Sequence, residues 1–519
     1  MKRALSIAII GTLFSCIYIS IALYEKTLGF KFLEPLFISD RLHLLFSNDI
    51  KTLEIFYFTY PSLSLLLAIP ALIIDPILAP VITSSIAMGF FSSYLIVELY
   101  SKDLKLISVL VSIYLLCSPS MLSIATSGTS LYLYFILYYF FFSFLFRYTR
   151  DYTTYNFVMM SLCLTLFVLL DYQFLWMMIF VVPIIFFFSL FNSTTIQKSY
   201  VGIFEELTQN KSSTRELINK SFSTILVIIF TPLLSLSCFM IINYWFTGNF
   251  LFFETSQTTS WDQNPLINQL FYTTETTDIY LIDRIENLLL SCLFLSPVYL
   301  TSFVMGRKKL LFHLILLLAP IWIIYKLNSN PLELLSLQDL LIITASGIAA
   351  FIHLFQTALL GIFRKSKILH TLSFALLGLS LGGEYYYFDH SKIPQEQNMF
   401  AFIKQEAPLN TASSLELIEY LKNHIPKGSK LLTDNTLTYG ISALTREKVI
   451  YVDQFDFDYY DAFQAPELFA DYILIPQAVK PEQLEARLNV TGHRRKYAIE
   501  YQNADFTLLK THPKTYDRN

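Results

Sequence analysis

The chain has 519 residues, of which 54% are hydrophobic and only 15% are charged, and its mean hydropathy is +0.51. This composition is too apolar for a soluble protein and indicates an integral membrane protein with several transmembrane helices. The net charge of −3 indicates nothing about partners, because the charges are segregated into loops, but the lack of a basic stripe or binding motif argues against nucleic acid. All five cysteines fall in apolar segments, which argues against disulfides and against a zinc site.

The apolar segments predict a bundle of about eleven transmembrane helices, since each crossing needs about 20 mostly apolar residues. The predicted spans are residues 4–24, 78–99, 104–120, 121–146, 155–170, 173–192, 222–245, 287–305, 309–325, 340–362 and 367–384. The first run is long for a signal peptide, and no small-residue cleavage site precedes Glu25. We therefore expect an uncleaved first span.

The basic residues predict the orientation of the bundle, because lysine and arginine collect in cytoplasmic loops. With a cytoplasmic N-terminus, every basic cluster of the apolar part faces the cytoplasm. This requires that residues 60–74, which contain Pro61 and Pro70, form an external interfacial or re-entrant helix. Residues 25–77, residues 246–286 and the tail from residue 385 then face outward. The expected location is the inner (plasma) membrane of a bacterium.

The tail predicts a water-soluble α/β domain, so the chain divides into a transmembrane domain (1–384) and an extracytoplasmic domain (385–519). The spacing of Leu415, Ile418 and Leu421 predicts a helix over residues 413–424. Residues 430–433, 448–452 and 472–475 are typical of strands. No glycine-rich phosphate loop is present, so the sequence does not support nucleotide binding.

The first external segment carries the residues most suited to chemistry, which are Asp40, Arg41, His43, Asp49 and Lys51 beside an apolar helix. A carboxylate at the membrane surface can take a proton from an acceptor hydroxyl, and cations can neutralise a leaving phosphate. The alternative is that an external loop simply carries solvated charges.

Two further places carry candidate site residues, each with a structural alternative. Asp171 ends the fifth span at the outer boundary, where it is either a site residue or a helix-end carboxylate that reaches water. In the second external segment, Trp261 and Asp262 could contact a sugar, and Arg284 could hold a phosphate. These residues could equally belong to an interfacial aromatic belt with solvated charges. The acidic run 453–458 lacks the glycine and the final glutamate of a calcium loop, so we predict no metal site.

Several short motifs resemble a known family. They are Tyr60-Pro61-Ser62-Leu63 on the short apolar helix, Glu98-Leu99-Tyr100 at the end of the second span, and Ser118-Pro119. Together with the acidic first external segment and the external tail, they resemble the GT-C glycosyltransferases, which include protein O-mannosyltransferases and the lipid A aminoarabinose transferase. Residues 431–434 and 465–474 are similar to the tails of bacterial members.

The resemblance implies an inverting transfer of a sugar from a polyprenyl-phosphate carrier to a lipid, glycan or protein acceptor at the extracytoplasmic face. It implies that Asp40 is the catalytic base, with substrate or phosphate contacts expected at Arg41, His43, Asp49, Lys51, Tyr60, Asp171, Trp261, Asp262 and Arg284. No cofactor is indicated by the sequence, although a divalent metal assists some members. The chain departs from the family where many members carry an acidic pair, because Ser39-Asp40-Arg41 has one acid followed by a cation.

Two other classes of function stay open. One is a non-catalytic GT-C-like membrane assembly protein, which becomes credible if the acidic pair is absent. The other is a transporter or flippase of a lipid-linked substrate. A transporter is expected to carry charged residues in mid-membrane and an internal repeat, and this sequence shows nearly charge-free spans and no repeat.

Overall fold

A computed structural model describes most of the chain. The described residues are 2–45, 52–102, 104–151, 153–172, 178, 182–183, 185–186, 211–256, 258–261, 266–272, 336–358, 367–477, 488 and 497–511. The predicted spans 287–305 and 309–325, most of span 173–192, and the candidate residues Asp49, Lys51, Asp262 and Arg284 lie outside these ranges.

Helices form nearly all of the described chain before the tail. The first of them are α1 (Lys2–Thr27), α2 (Leu33–Leu44), α3 (Thr52–Phe58), α4 (Ser62–Ala68), α5 (Ala79–Ser101), α6 (Lys105–Cys117), α7 (Pro119–Thr126), α8 (Leu131–Asp151) and α9 (Thr154–Leu170). They are followed by α10 (Lys211–Thr247), α11 (Phe252–Thr255), α12 (Leu266–Phe271), α13 (Leu337–Ala358) and α14 (Lys367–His390). The prediction of a mostly helical chain is confirmed.

Four helices within the described ranges are long and apolar enough to cross a membrane: Lys2–Thr27, Ala79–Ser101, Leu131–Tyr148 and Ser221–Thr247. The bent pair α6–α7 would add a fifth. Apolar runs form helices in lipid because each backbone polar group must be paired within its own segment. The total of about eleven spans also draws on residues outside the described ranges and stays a prediction.

The break between α6 and α7 divides the region that the sequence predicted as the spans 104–120 and 121–146. The two helices meet at 65°, because Pro119 opens α7 and the preceding Ser118 is held in an extended conformation. The Ser118 hydroxyl accepts a hydrogen bond from the Met121 amide and so caps α7. Gly128 then takes a left-handed backbone (φ 77°), and α8 begins only at Leu131.

The apolar stretch at residues 60–74 forms α4 followed by a 3₁₀ helix (Ile69–Ile73). Together these make a short apolar helix, Ser62–Ile73. At about 1.5 Å per residue it spans about 18 Å, well short of the ~30 Å hydrocarbon core. Its length supports the prediction that this stretch does not cross the membrane.

The tail forms helices around a five-stranded mixed sheet. The helices are α15 (Pro394–Lys404), α16 (Ala412–His424), α17 (Asn435–Thr445), α18 (Tyr459–Gln464) and α19 (Pro466–Phe469). The strands are β1 (Lys430–Leu432), β2 (Ile450–Val452), β3 (Tyr472–Pro476), β4 (Tyr497–Gln502) and β5 (Phe506–Thr511). The strand order is β2-β1-β3-β5-β4, with β1 parallel to β2 and β3, and β5 antiparallel to β3 and β4.

The predicted α/β tail is therefore confirmed, together with its three predicted strands and the helix at 413–424. The sequence analysis did not predict β4 and β5. Most of β4 is exposed at the edge of the sheet, so its apolar alternation is weak, and the side chain of Asn503 forms the turn by accepting the Asp505 and Phe506 amides.

The tail packs directly on the external segments. Phe37 and Leu42 of α2, Leu270 of α12, Leu417 of α16 and Leu474 of β3 belong to one buried apolar cluster. The division between domains at residue 384 stays a prediction, and α14 continues across that point to His390. The first external segment, the second external segment and the sheet domain thus share a core.

Close packing of α1 against α5 predicts that adding one methyl group between them lowers the stability of the protein. A Cβ added at Gly89 of α5 would lie 2.6 Å from the backbone nitrogen of Ser15 in α1. We expect Gly89→Ala to lower the free energy of unfolding by about 1–3 kcal/mol, because one helix must shift. Thermal unfolding in detergent measures this.

Gly378→Ala in α14 is the matched control, since no described atom lies within 4 Å of its added Cβ. We expect this variant to be at least as stable as the natural chain, because alanine favours a helix over glycine. Equal losses in both variants would contradict the close approach of α1 and α5.

Candidate functional site

Helix α2 is a buried part of the first external segment. It starts after extended Phe32, with Glu34 and Pro35 in its first turn, where an acidic residue and a proline both favour a helix N-terminus. Every residue of α2 is buried except His43, which is half-buried. Asp40 and Arg41 are therefore not the solvated loop charges of the alternative interpretation.

Asp40 is 0% exposed and accepts hydrogen bonds on both of its oxygens. Its Oδ1 accepts from Arg446 Nε (2.6 Å) and from the Ser442 hydroxyl (2.7 Å). Its Oδ2 accepts from Asn435 Nδ2 (2.7 Å) and from Arg41 Nη1 (3.2 Å). Three of these four donors belong to α17 or to the residue that follows it, so the tail encloses Asp40.

A second aspartate completes a group of four charges, because Arg446 Nη2 also donates to Asp453 (2.6 Å). We call Asp40, Arg41, Arg446 and Asp453 the ion cluster. Burial raises the pKa of Asp40, but the charges of Arg446 and Arg41 outweigh burial and hold that pKa below its usual value. The pKa of Asp453 is raised, because its burial outweighs the charge of Arg446.

Arg41 connects the ion cluster to the second external segment. Its guanidinium lies over the Phe37 ring (4.6 Å) and the Phe455 ring (4.2 Å), and it is 1% exposed. Its Nη2 donates to the backbone carbonyl of Thr258 (3.1 Å). The Arg41 guanidinium thus contacts both the tail and the second external segment.

A cavity of about 110 Å³ lies beside the N-terminus of α2. Two carboxylates, two amides, several hydroxyls and an indole ring contribute to its wall, although apolar atoms form most of the wall's surface. The lining residues are Phe32, Glu34, Ser123, Ser127, Thr129, Leu131, Trp261, Ser336, Leu337, Gln338, Ile393, Pro394, Gln395 and Glu396. The cavity therefore joins α2, the α7–α8 turn, the start of α13 and the start of the tail.

Both cavity carboxylates are held at helix N-termini. Glu34 Oε1 accepts the Ser130 amide (2.8 Å) where α8 begins. Glu396 Oε1 accepts the Leu337 amide (2.6 Å) at the start of α13, and its Oε2 accepts the Ser391 hydroxyl (2.5 Å). These amides have no acceptor within their own helices, and the two carboxylates satisfy them.

A third buried glutamate supports the same segment from the membrane side. Glu384 of α14 accepts hydrogen bonds from the hydroxyls of Tyr114 and Ser118 and from the Ser120 amide (3.3 Å). These contacts hold the broken helix pair α6–α7, whose far end lines the cavity. Residues 118–130 are therefore a polar segment inside an apolar bundle.

The structure distributes the predicted site residues among three places. Asp40 and Arg41 lie in the ion cluster, and burial lowers the pKa of the neighbouring His43. The Tyr60 hydroxyl, which donates to the Val168 carbonyl (3.0 Å), lies at the end of α9, where Asp171 is half-buried.

Trp261 lines the cavity, and its carbonyl accepts the Tyr439 hydroxyl (3.1 Å). The predicted roles of all these residues stay predictions. For Asp40 as a base, the four hydrogen bonds and the lowered pKa are unfavourable, because a carboxylate of low pKa is a weak proton acceptor.

The sequence analysis missed the glutamates. Glu34 and Pro35 lie in the first external segment, and their helix-start signal was available in the sequence. Glu384 was available as a lone acid at the end of a predicted span. Pro394 and Glu396 offered a similar helix-start signal, but no local pattern linked Glu396 to Leu337, which lies 59 residues earlier in the chain.

In the described part of the chain, no group of three or more histidine, cysteine, aspartate or glutamate side chains is arranged to hold a metal ion. The dependence of this protein on a divalent metal stays untested.

No protein-family model and no curated protein matches the chain. Among solved structures, it is similar to the crystal structure of the Archaeoglobus fulgidus oligosaccharyltransferase in the apo form, with a TM-score of 0.41 and 11% identity over 90% of this chain and 69% of that chain. It is also similar to the archaeal oligosaccharyltransferase AglB from Archaeoglobus fulgidus in complex with an inhibitory peptide and a dolichol-phosphate, with a TM-score of 0.38 and 11% identity over the same shares. A likeness at this level carries no argument about function.

The contacts of Glu396 predict how its variants unfold. Glu396→Ala leaves the buried Leu337 amide without its acceptor, and we expect the free energy of unfolding to fall by about 1–3 kcal/mol. Glu396→Gln keeps an acceptor oxygen and should lose less. Thermal unfolding in detergent compares the two variants, and equal losses would contradict the capping role of Glu396.

Proposed function

We propose that this chain is a membrane glycosyltransferase that moves a sugar from a polyprenyl-phosphate donor to an acceptor at the extracytoplasmic face, with inversion at the anomeric carbon. One observation carries the proposal. It is the cavity, mostly apolar but with several convergent polar side chains, that Glu34, Glu396 and Trp261 line where the membrane helices, both external segments and the tail meet. The resemblance of the sequence motifs to GT-C glycosyltransferases supports it.

The chemistry of the cavity wall suits a sugar. Carboxylates such as Glu34 and amides such as Gln338 and Gln395 can hydrogen-bond to sugar hydroxyls, and an indole ring offers an apolar face with a polar edge. A few fixed polar groups in a small cavity orient a ligand and provide specificity.

In this proposal Glu34, rather than Asp40, is the base. Both residues lie on α2, but Glu34 lines the cavity, whereas both Asp40 oxygens are engaged in the ion cluster. Glu34 takes the proton of the acceptor hydroxyl, and the resulting oxygen attacks the anomeric carbon from the face opposite the phosphate. The bond between that carbon and the phosphate oxygen breaks, and its electron pair leaves with the polyprenyl phosphate.

The leaving phosphate needs cations. Arg41 was one of the predicted phosphate contacts, but it is occupied by Asp40, by the Thr258 carbonyl and by two aromatic rings. Lys51 and Arg284 remain the proposed phosphate contacts. They lie outside the described residues.

The base assignment predicts a separation of activity from stability. We expect Glu34→Gln to lower sugar transfer by at least ~100-fold, the lower end of typical general-base contributions, while the amide oxygen still caps α8. Glu396→Gln, the matched variant in the same cavity, should keep more activity. Membranes supplied with radiolabelled polyprenyl-phosphate sugars measure transfer, and thermal unfolding checks folding. A folded Glu34→Gln variant with full activity would remove Glu34 as the base.

The proposed orientation predicts which side of the membrane the tail occupies. Alkaline phosphatase fused after Asn519 should be active in a bacterial host, because the enzyme folds only outside the cytoplasm. The matched fusion after Lys102, in a basic turn expected to be cytoplasmic, should be inactive. The reverse pattern would overturn the topology and with it the external site.

One observation favours a second candidate, the non-catalytic GT-C-like assembly protein. Asp40, the acid that the resemblance implies as base, is fully enclosed between two parts of the chain. A member that had lost catalysis could keep this aspartate for structure alone. The two candidates separate if a folded chain without measurable sugar transfer still corrects the cell-envelope defect of a deletion strain, because only the assembly protein functions without transfer.

A further inference from the structure

The ion cluster joins three segments that each contribute residues to the cavity wall. Asp40 and Arg41 lie on α2, which also carries Glu34. Arg41 binds the carbonyl of Thr258, three residues before Trp261 in the second external segment. Arg446 and Asp453 belong to the tail. Any change in how these segments dock would therefore move Glu34 and Trp261 relative to each other.

One face of α17 makes the connection from the tail. Asn435, Tyr439, Ser442 and Arg446 follow the i, i+4, i+7, i+11 spacing of a helix face. Asn435, Ser442 and Arg446 all donate to Asp40. The Tyr439 ring packs edge-to-face on Phe37 of α2 at 5.2 Å, while its hydroxyl donates to the Trp261 carbonyl.

A glycine on the same helix allows the second external segment to come close. A Cβ at Gly440 would lie 2.7 Å from Cε1 of Phe271 in α12, so only glycine leaves room for this ring. Helix α17 thus contacts α2 and two places in the described second external segment, Trp261 and Phe271.

We infer that the ion cluster, in which positive and negative charges balance, holds α17 against α2 and against the second external segment. Asp40 is then a positioning residue that acts through Arg446. The cluster contains two carboxylates and two guanidinium groups, so its formal charge is zero. This inference goes beyond the proposed function, since it concerns assembly of the cavity wall and needs no transfer reaction.

Charge balance distinguishes a positioning role of Asp40 from a catalytic role. Asp40→Asn leaves an excess positive charge among Arg41, Arg446 and Asp453, and Arg446→Gln leaves an excess negative charge. A buried charge without a partner is strongly destabilising. The double variant restores a net charge of zero through Arg41 and Asp453, so the second substitution should compensate for the first. No such compensation can restore a missing catalytic base.

The test measures the environment of Trp261 by fluorescence. The chain has four tryptophans, and replacing Trp176, Trp245 and Trp322 with phenylalanine leaves Trp261 as the only indole emitter. In this background we compare Asp40→Asn, Arg446→Gln and the double variant. The readouts are the emission maximum of Trp261 and the rate at which a protease cleaves the tail in detergent.

We expect each single variant to shift Trp261 emission to the red and to raise tail cleavage by about tenfold or more, because undocking exposes both. The double variant should return both readouts close to the parent. If both single variants fail to express but the double variant expresses and folds, that result also supports the inference. A double variant as impaired as the singles, or one that does not fold, overturns the inference, and so do singles that leave both readouts unchanged.

The matched control is the exposed pair of Asp389 and Lys404, with exposures of 46% and 41%. Asp389→Asn and Lys404→Gln should leave Trp261 emission and tail cleavage unchanged, because exposed ion pairs contribute little. If transfer is also measured, recovery of activity in the double Asp40→Asn, Arg446→Gln variant identifies positioning, whereas a base at Asp40 would leave it inactive. Failure of the proposed transfer reaction leaves the fluorescence and cleavage results unaffected.

Discussion

Two aspartates and two arginines, withdrawn from water between the first external segment and the tail, form the buried ion cluster on which we infer that the docking of these segments depends. Charges without partners are strongly disfavoured in such a place, so the four side chains must come together or the segments must separate. Their contacts join α2, the second external segment and α17. The apolar cluster that contains Phe37 and Leu474 packs the same segments together.

Beneath this junction, polar groups inside the bundle are held by helix ends. Glu34, Glu384 and Glu396 accept backbone amides at the first turns of α8, α7 and α13, respectively. Amide donors there lack partners within their own helices, and a carboxylate satisfies them. This arrangement lets an apolar bundle contain a polar segment, residues 118–130, which lines part of the cavity.

Glu34 and Asp40 of α2 have different surroundings, and their different proposed roles follow from these surroundings. Six residues separate Glu34 from Asp40, so at about 100° per residue their side chains lie on different faces of the helix. One face meets the α7–α8 turn and the cavity, and the other meets α17. A carboxylate that lines a cavity can exchange a proton with a ligand, whereas one that accepts four hydrogen bonds from buried donors holds two segments together.

Sequence by itself determined the apolar helices, the short helix at residues 62–73 and an α/β tail with three of its five strands, because length and local periodicity control these features. It also marked the first external segment and Trp261 as places of interest. Only the tertiary structure decided which acid of α2 faces the cavity, since Asp40 and its partner Arg446 are 406 residues apart in the chain. The environment of a carboxylate, and hence its chemistry, is set by such distant neighbours, and no local pattern encodes them.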